Sequence, residues 1–360
     1  MSDEPSDAAA AATTEVEHGR TLAARWREFR DRELSTVVLM AVGVLVFPVV
    51  FNSLLDGYTQ LATLILIWGI FAVGFDILLG YTGLLSFGHA VFWGGAAYAA
   101  GIFSASVSSA PLLVILAGTA FAVVLSVVVG VLSLRRGGIY FAILTLTFGQ
   151  MAFYLATSPL AFLTNGENGF TSVDIGPLLG VLDLHQPLPG AFGMLPGSTL
   201  YLFVGVVAVA AVAAASRILN SPYGIVFRAI RENERRAEFV GLDVWRYKLM
   251  AFVISAAFAG IAGSLFTIEG NYVPLDSLYW TTSGEVVIMA ALGGVGSLFG
   301  PLLGAAVYLY IEFIVSGMEV IGPFWHLILG AVFVAVIVLF PAGIWGGVET
   351  ARDALTGGDD

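Results

Sequence analysis

The chain has 360 residues, of which 58% are hydrophobic and only 11% are charged, and its formal net charge is −11 at pH 7. Soluble domains average about 25% charged residues, so this composition excludes an ordinary soluble protein. Cysteine is absent and the four histidines are scattered, which excludes disulfides and offers no metal-ligand spacing, while the acidic balance argues against a nucleic-acid partner.

Residues 1–34 precede the first apolar run and are predicted to form a cytoplasmic N-terminal tail. Residues 1–19 lack both the basic start and the apolar run of a signal peptide, so we expect no cleavable signal and a disordered segment. Residues 20–33 are rich in charge and are predicted to form a helix that leads into the first span.

Residues 35–345 contain repeated apolar runs of the length that crosses a bilayer as a helix. They predict an all-α fold, a polytopic transmembrane helical bundle of about nine to ten spans. The 43 glycines fit close packing of membrane helices. The predicted spans cover about 35–53, 58–79, 84–103, 111–134, 138–157, 199–216, 247–269, 283–294, 298–316 and 323–341. The run at 283–294 is short for a straight crossing, so the number of crossings over 283–316 stays open.

The distribution of basic residues predicts how these spans are oriented. With the N-terminus in the cytoplasm, 14 of the 15 basic residues fall on cytoplasmic segments, and Arg352 agrees if 283–294 is a crossing. The segments without Lys or Arg are then external, and they are 54–57, 104–110, 158–198 and 270–282. We therefore expect a multi-pass protein of the cytoplasmic membrane, with a turn-rich external loop at 158–198 and an acidic C-terminal tail at 346–360.

The stretch 227–248 carries ten charged residues in a chain that is otherwise poor in charge. Pro222 suits a first helical turn with Ser221 as its cap, and Gly241 suits the end of the helix. Apolar residues at helical spacing occupy one face, namely Phe227, Ile230, Ala237 and Val240. The pattern predicts an amphipathic helix at 222–242 on the cytoplasmic face of the membrane.

Periodicity alone leaves two interpretations of this helix open. In the first, its basic side chains anchor it on anionic membrane lipid. In the second, it is a docking element for a cytoplasmic partner protein, in which charge would set orientation and partner selectivity more than affinity.

Four stretches resemble the branched-chain amino acid permease family of ABC importers. They are YGIVFRAIRENERRAEFVGLDVWRYKLMAFVISAAFAGIAGSLF (223–266), GYTGLLSFGHAVFWGGAAYAAG (80–101), SGEVVIMAALGGVGSLFGPLLGAAVY (283–308) and TNGENGF (164–170). Together the resemblance runs from about 60 to 345. It implies the membrane subunit of an ATP-driven importer for branched-chain amino acids, and the alternative within the same class is a permease for urea, short amides or another small organic solute.

The resemblance further implies that 222–242 is a coupling helix that inserts into a separate ATP-binding subunit. The residues that match the family's loop pattern are Arg231, Glu232, Asn233, Ala237, Glu238 and Gly241. The chain has no GxxxxGK[ST] phosphate loop, so we expect ATP to be bound by the partner and no cofactor or catalytic residue in this chain. The other implied partners are a second, related permease and an external solute-binding protein.

Polar and glycine residues within the spans are candidates for a translocation path. Asp76 lies near the cytoplasmic end of the second span, where we expect it to be solvated at the interface rather than to act in a pore. His89 either faces the path or hydrogen-bonds to a neighbouring helix. The glycine run before Pro301 permits a broken helix, as a hinge, a pore element or a plain helix crossing. The path candidates are Ser86, His89, Gly293, Gly294 and Gly296.

Two other classes of function are less consistent with the residues. A secondary transporter driven by protons or Na⁺ needs titratable or ion-coordinating groups at mid-bilayer, for which only Asp76 and His89 are candidates, and it would leave the charged stretch without a role. A membrane-embedded enzyme needs convergent catalytic groups, and we assemble no such set.

Overall fold

The computed structural model describes residues 38–44, 59–135, 137–186, 199–318, 322–347 and 350. The predicted tail at 1–34 lies outside these residues. So do most of the first predicted span, the last part of the external loop at 187–198, and most of the C-terminal tail at 346–360.

The described chain is a bundle of helices, and within it we find no strand, only two isolated β-bridges. In chain order the α-helices are α1 (described over 38–44), α2 (Thr59–Thr82), α3 (Ala90–Ser106), α4 (Pro111–Ser133), α5 (Ile139–Thr157), α6 (Ala161–Thr164), α7 (Thr199–Leu219), α8 (Pro222–Glu232), α9 (Glu234–Phe239), α10 (Val244–Gly270), α11 (Trp280–Gly293), α12 (Gly300–Ser316) and α13 (Trp325–Leu339). Short 3₁₀ turns lie at Gly166–Asn168, Leu275–Leu278 and Gly322–Phe324. The prediction of an all-α fold is confirmed.

Six described segments are long and apolar enough to cross a membrane, and they contain α2, α4, α5, α7, α10 and α13. Three further helices are shorter, with 17 residues in α3, 14 in α11 and 17 in α12. The run predicted to start at residue 84 becomes helical only at Ala90, because residues 83–88 form a non-helical connection. A polytopic membrane bundle is therefore the architecture of this chain.

The long helices α2 and α10 form the centre of the bundle. Helix α10 packs against α2, α3 and α4, while α2 also packs against α7, α11 and α12. Glycine makes the approach close: a Cβ added at Gly74 of α2 would lie 2.2 Å from Phe258 Cβ of α10. In the most apolar stretch of α2, 89% of the residues are buried within the bundle. In α4 and α5 the corresponding share is only 28%. Their outer faces are available to lipid or to another chain, as is that of the segment containing α13, which is 11% buried.

Helices α11 and α12 form a hairpin whose backbones touch. A Cβ at Gly293 would lie 1.8 Å from the Gly300 carbonyl oxygen, and one at Gly304 would lie 1.8 Å from the Met289 carbonyl oxygen. The connection between the helices turns at Gly294 (φ +125) and Gly296 (φ +87), in backbone conformations that favour glycine. The glycine run thus forms a helix break and a close helix contact, as its pattern predicted.

The loop between α5 and α7 packs against the end of α10. Phe170 and Val273 exchange backbone hydrogen bonds of 2.9 Å and 3.0 Å. The turn that precedes them carries positive φ at Asn165 and Gly169, so the TNGENGF stretch is a tight turn as its composition predicted. This contact defines one end of the bundle, and the charged stretch between α7 and α10 defines the opposite end.

We predict that Gly293→Ala destabilises the hairpin by about 1–3 kcal/mol, since the new methyl group meets the backbone of α12 and forces the helices apart. Gly284→Ala is the matched control, because a Cβ at that position of α11 has no atom within 4 Å. Thermal unfolding of the two purified variants in detergent checks this. Equal melting temperatures for Gly293→Ala and the unsubstituted protein would contradict it.

Candidate functional site

The charged stretch folds as two helices rather than as the single helix predicted over 222–242. Helix α8 ends at Glu232, and Asn233 adopts an extended backbone (φ −160, ψ 100). The Asn233 side chain accepts a hydrogen bond of 2.9 Å from the Arg236 backbone N–H, which caps α9. Asparagine competes for backbone hydrogen bonds in this way, so it starts a new helix where periodicity alone would continue the old one.

Gly241 ends α9, as its position predicted. Its backbone has φ +88, and its N–H donates to the Glu238 carbonyl at 2.9 Å. The Leu242 N–H donates to the Ala237 carbonyl at 3.2 Å, which completes a Schellman-type helix end. Asp243 then caps α10 by accepting a hydrogen bond from the Arg246 N–H at 3.3 Å.

A small apolar core holds the two helices to the start of α10. Ile230, Ala237 and Val244 are buried together, one from each helix. A buried Lys248 side chain forms an ion pair of 2.5 Å with Glu234, which joins α10 to α9 directly. We call residues 222–243, held in this way, the charged segment. The small core and the ion pair attach the charged segment directly to α10.

The outer face of α9 combines apolar and charged side chains. Phe239 is 91% exposed and Val240 is 77% exposed, and the charged residues Glu232, Glu234, Arg235, Arg236 and Glu238 of the same segment are also exposed. The prediction that Val240 shares the buried face of Phe227 and Ile230 is wrong, because the break at Asn233 changes the rotation of α9 relative to α8. We call Glu232, Glu238, Phe239, Val240 and Gly241 the exposed face.

Two of the six residues predicted to contact a partner make side-chain contacts within this chain. Ala237 is buried in the small core. The Arg231 Nη1 group donates a hydrogen bond to the Gly80 carbonyl oxygen at the end of α2. Whether any of the six residues binds a partner stays a prediction, and Glu232, Glu238 and Gly241 are exposed on the charged segment.

Asp76 is buried, so the prediction that it is solvated at the interface is wrong. Its side chain is 2% exposed, and each carboxylate oxygen accepts a hydrogen bond of 3.0 Å from the Gly296 backbone N–H. Arg231 lies close enough to interact with the carboxylate electrostatically. These two partners compensate the carboxylate for its removal from solvent. Neither partner is near Asp76 in sequence, so the sequence alone did not indicate the burial.

Ser86 and His89 are fully buried at the start of α3. A hydrogen bond of 2.8 Å joins His89 Nε2 to Ser255 Oγ in α10, and the rings of Phe75, Phe92 and Phe252 meet the imidazole edge to face. Of the two alternatives for His89, the structure therefore contains the hydrogen bond to a neighbouring helix. A role for Ser86 and His89 in a translocation path stays a prediction.

The predicted path residues lie at two depths. Next to His89, the Ala90 N–H donates to Ser283 Oγ at 2.8 Å, close to the start of α11. Gly293 is ten residues further along the same helix, which corresponds to about 15 Å. The Gly294–Gly296 turn is therefore grouped with Asp76 and Arg231 at the charged end of the bundle, and not with His89. Among the described residues we find no cluster of three or more His, Asp or Glu that could hold a metal ion.

The chain is similar to permeases of one transport system. The family model for the permease component of branched-chain amino acid transport systems matches residues 57–337. The high-affinity branched-chain amino acid transport system permease protein LivM of Escherichia coli K12 is 29% identical over 326 residues, which cover 85% of this chain and 74% of that protein. LivM of Salmonella typhimurium is 28% identical, with the same coverage. LivH of Escherichia coli K12 is 28% identical over 137 residues, or 38% of this chain and 43% of that protein.

We predict that Ser255→Ala lowers the stability of the bundle by about 1–2 kcal/mol, since it leaves the buried His89 imidazole without its partner on Nε2. Ser106→Ala is the matched control, because the Ser106 hydroxyl is exposed and donates only to the Ile102 carbonyl of its own helix. Thermal unfolding in detergent compares them. If the two variants lose equal stability, the His89–Ser255 bond makes no specific contribution.

Proposed function

This chain belongs to the branched-chain amino acid transport permease family, and from that premise we propose that it is the membrane permease subunit of an ATP-driven importer for branched-chain amino acids. It lies in the cytoplasmic membrane with its N-terminus and its charged segment in the cytoplasm, as the distribution of basic residues favours. The transported class is the one for which its LivM relatives are named.

The observation that carries this proposal is the exposed face of the charged segment. Phe239 and Val240 are exposed apolar side chains at the charged end of the bundle, and the exposed charged residues Arg235, Arg236 and Glu238 lie within a few residues of them. An apolar centre with a charged rim is the usual anatomy of a protein–protein interface. An ATP-binding subunit in the cytoplasm is the partner that this face fits in an importer.

The construction of the charged segment suits it to transmit force. The small apolar core and the Lys248–Glu234 ion pair join the exposed face to α10, and α10 runs through the centre of the bundle. When ATP draws two ATP-binding subunits together, the exposed face moves with them and α10 follows. The path then changes between inward and outward access, and hydrolysis resets it.

The remaining partners occupy other surfaces. A second, related permease packs beside this chain, and the poorly buried outer faces of α4 and α5 are available to it or to lipid. An external solute-binding protein delivers the amino acid to the end of the bundle that carries the turn at Gly166–Asn168. In this scheme the binding protein selects the solute, so the permease needs no tight binding site of its own.

We predict that deletion of this chain from its source organism abolishes uptake of labelled leucine and leaves uptake of labelled urea unchanged. Restoration of leucine uptake by the unsubstituted chain completes the test. Loss of urea uptake with normal leucine uptake would retain the importer and change its solute. Normal uptake of both would overturn the proposed substrate class.

We predict that Glu238→Arg reduces co-purification of the ATP-binding subunit by about tenfold or more, because it reverses the charge directly next to the exposed Phe239 side chain. The matched control is Glu167→Arg, an equally exposed charge reversal at the opposite end of the bundle. Both variants are compared by quantitative blotting at equal membrane abundance. Full co-purification with Glu238→Arg would remove the exposed face as the docking site.

A further inference from the structure

Arg231 is one of the side chains through which the charged segment contacts the membrane core, together with Phe227 and Arg228. It is the second-last residue of α8, and its Nη1 group donates to the Gly80 carbonyl oxygen near the end of α2. The carbonyls in the last turn of a helix have no partner within the helix, so they are ready acceptors for a cation. The side chain also lies along Gly83, where an added Cβ would be 3.4 Å from Arg231 Cγ.

The same guanidinium group touches the turn between α11 and α12. A Cβ at Gly296 would lie 3.0 Å from Arg231 Nη1 and 3.3 Å from the Gly80 carbonyl oxygen. The Gly296 N–H is in turn held by the Asp76 carboxylate. Asp76, Gly80, Arg231 and Gly296 therefore form one contact group, which we call the Arg231 junction. It joins α8, α2 and the α11–α12 turn, elements separated by up to 220 residues in sequence.

Three features make this junction suited to movement. Every partner of Arg231 in it is a backbone group or a charge, so contact can be broken and remade without repacking an apolar core. Glycines at 80, 83 and 296 leave no side chain that would block the guanidinium. The turn itself also packs on the C-terminal segment, because a Cβ at Gly343 would lie 2.4 Å from Gly294 Cα. A displacement of the turn would reach both helices of the hairpin.

We infer that Arg231 is a positioning residue that transmits movement of the charged segment to the α11–α12 turn, and not a contact to the ATP-binding subunit. This inference rests on the proposed function, since it needs an ATP-driven partner on the exposed face. When the exposed face moves, α8 moves the guanidinium, and the turn follows through Gly80, Gly296 and the Asp76 carboxylate. Loss of Arg231 then leaves docking and ATP hydrolysis in place but separates them from movement of the turn.

The charge of Arg231 has a second task in this arrangement. The buried Asp76 carboxylate has an N–H partner in Gly296, and the Arg231 cation is the opposite charge that acts on it. Arg231→Lys keeps the positive charge but loses the planar guanidinium group with its several N–H donors. We therefore expect this variant to transmit movement to the turn only in part. Arg231→Gln keeps a donor and removes the charge, so we expect transmission to be lost.

The experiment follows the turn directly by cysteine labelling in the complete complex. The chain has no cysteine of its own, and Val295 in the turn is 36% exposed, so Val295→Cys introduces a single reporter on this chain. Its rate of reaction with a thiol reagent is measured with and without bound ATP. In the presence of Arg231 we expect the two rates to differ by about fivefold or more. In Arg231→Gln we expect the difference to disappear, and in Arg231→Lys to be reduced.

The matched control is Arg228→Gln on the same helix. Arg228 donates to the Leu219 carbonyl at 2.8 Å and lies over the Tyr81 ring, but it does not contact the turn. We expect its labelling difference to match that of the unsubstituted protein. The inference is overturned if the labelling rate still differs with and without ATP in Arg231→Gln. It is also overturned if the rate does not differ while Arg231 is present.

A second readout covers the case in which Arg231→Gln fails to fold. In proteoliposomes, Arg231→Lys should hydrolyse ATP at the unsubstituted rate but move about fivefold less leucine for each ATP. An unchanged ratio, or loss of the ATP-binding subunit from either Arg231 variant, overturns the inference. If no ATP-binding subunit co-purifies with the unsubstituted chain, the proposed function fails instead, so the two failures are distinguishable.

Discussion

The buried Asp76 carboxylate imposes the constraint on which the charged end of the bundle depends. A charge inside an apolar bundle is costly unless it is paired and hydrogen-bonded. Here the Gly296 N–H provides the hydrogen bonds and Arg231 provides the opposite charge. The Asp76 side chain of α2 therefore brings the α11–α12 turn and the end of α8 to the same point. This contact adds to the small apolar core and the Lys248–Glu234 ion pair, which also hold the charged segment in place.

Glycine sets the geometry of the rest of the core. Where helices cross closely, as at Gly74 between α2 and α10 or at Gly293 and Gly304 in the hairpin, the contact is made with backbone that any side chain would displace. Packing at such short separation fixes the relative position of the helices, because interiors this dense do not deform gradually. The backbone is thus held closely where glycines meet, both at these helix crossings and where Gly343 packs on Gly294.

In the importer that we propose, these two features connect the charged segment to the bundle. The charged segment has its own small core, and it contacts the bundle through α10, through Phe227 and Arg228, and through Arg231, which reaches a glycine turn. Coupling between two sites in such a proposal needs an element that has two arrangements. The polar contacts of the Arg231 junction are the ones that can be exchanged without repacking apolar side chains.

The sequence by itself determined that this is an all-α membrane bundle, where most spans lie, that the TNGENGF stretch turns, and that the glycine run before Pro301 breaks a helix. Hydrophobic length, glycine content and helix-stop residues are local signals, so they survive without knowledge of the fold. The resemblance in four motifs also identified the family that the comparisons confirm over residues 57–337. What only the tertiary structure decided was where polar groups find their partners. Asp76 is buried because Gly296 lies beside it, Val240 is exposed because Asn233 restarts the helix, and Arg231 turns inward to Gly80. Each of these outcomes depends on a tertiary contact. Hydrophobic periodicity does not identify which backbone group, distant in sequence, will form a hydrogen bond with a charged side chain.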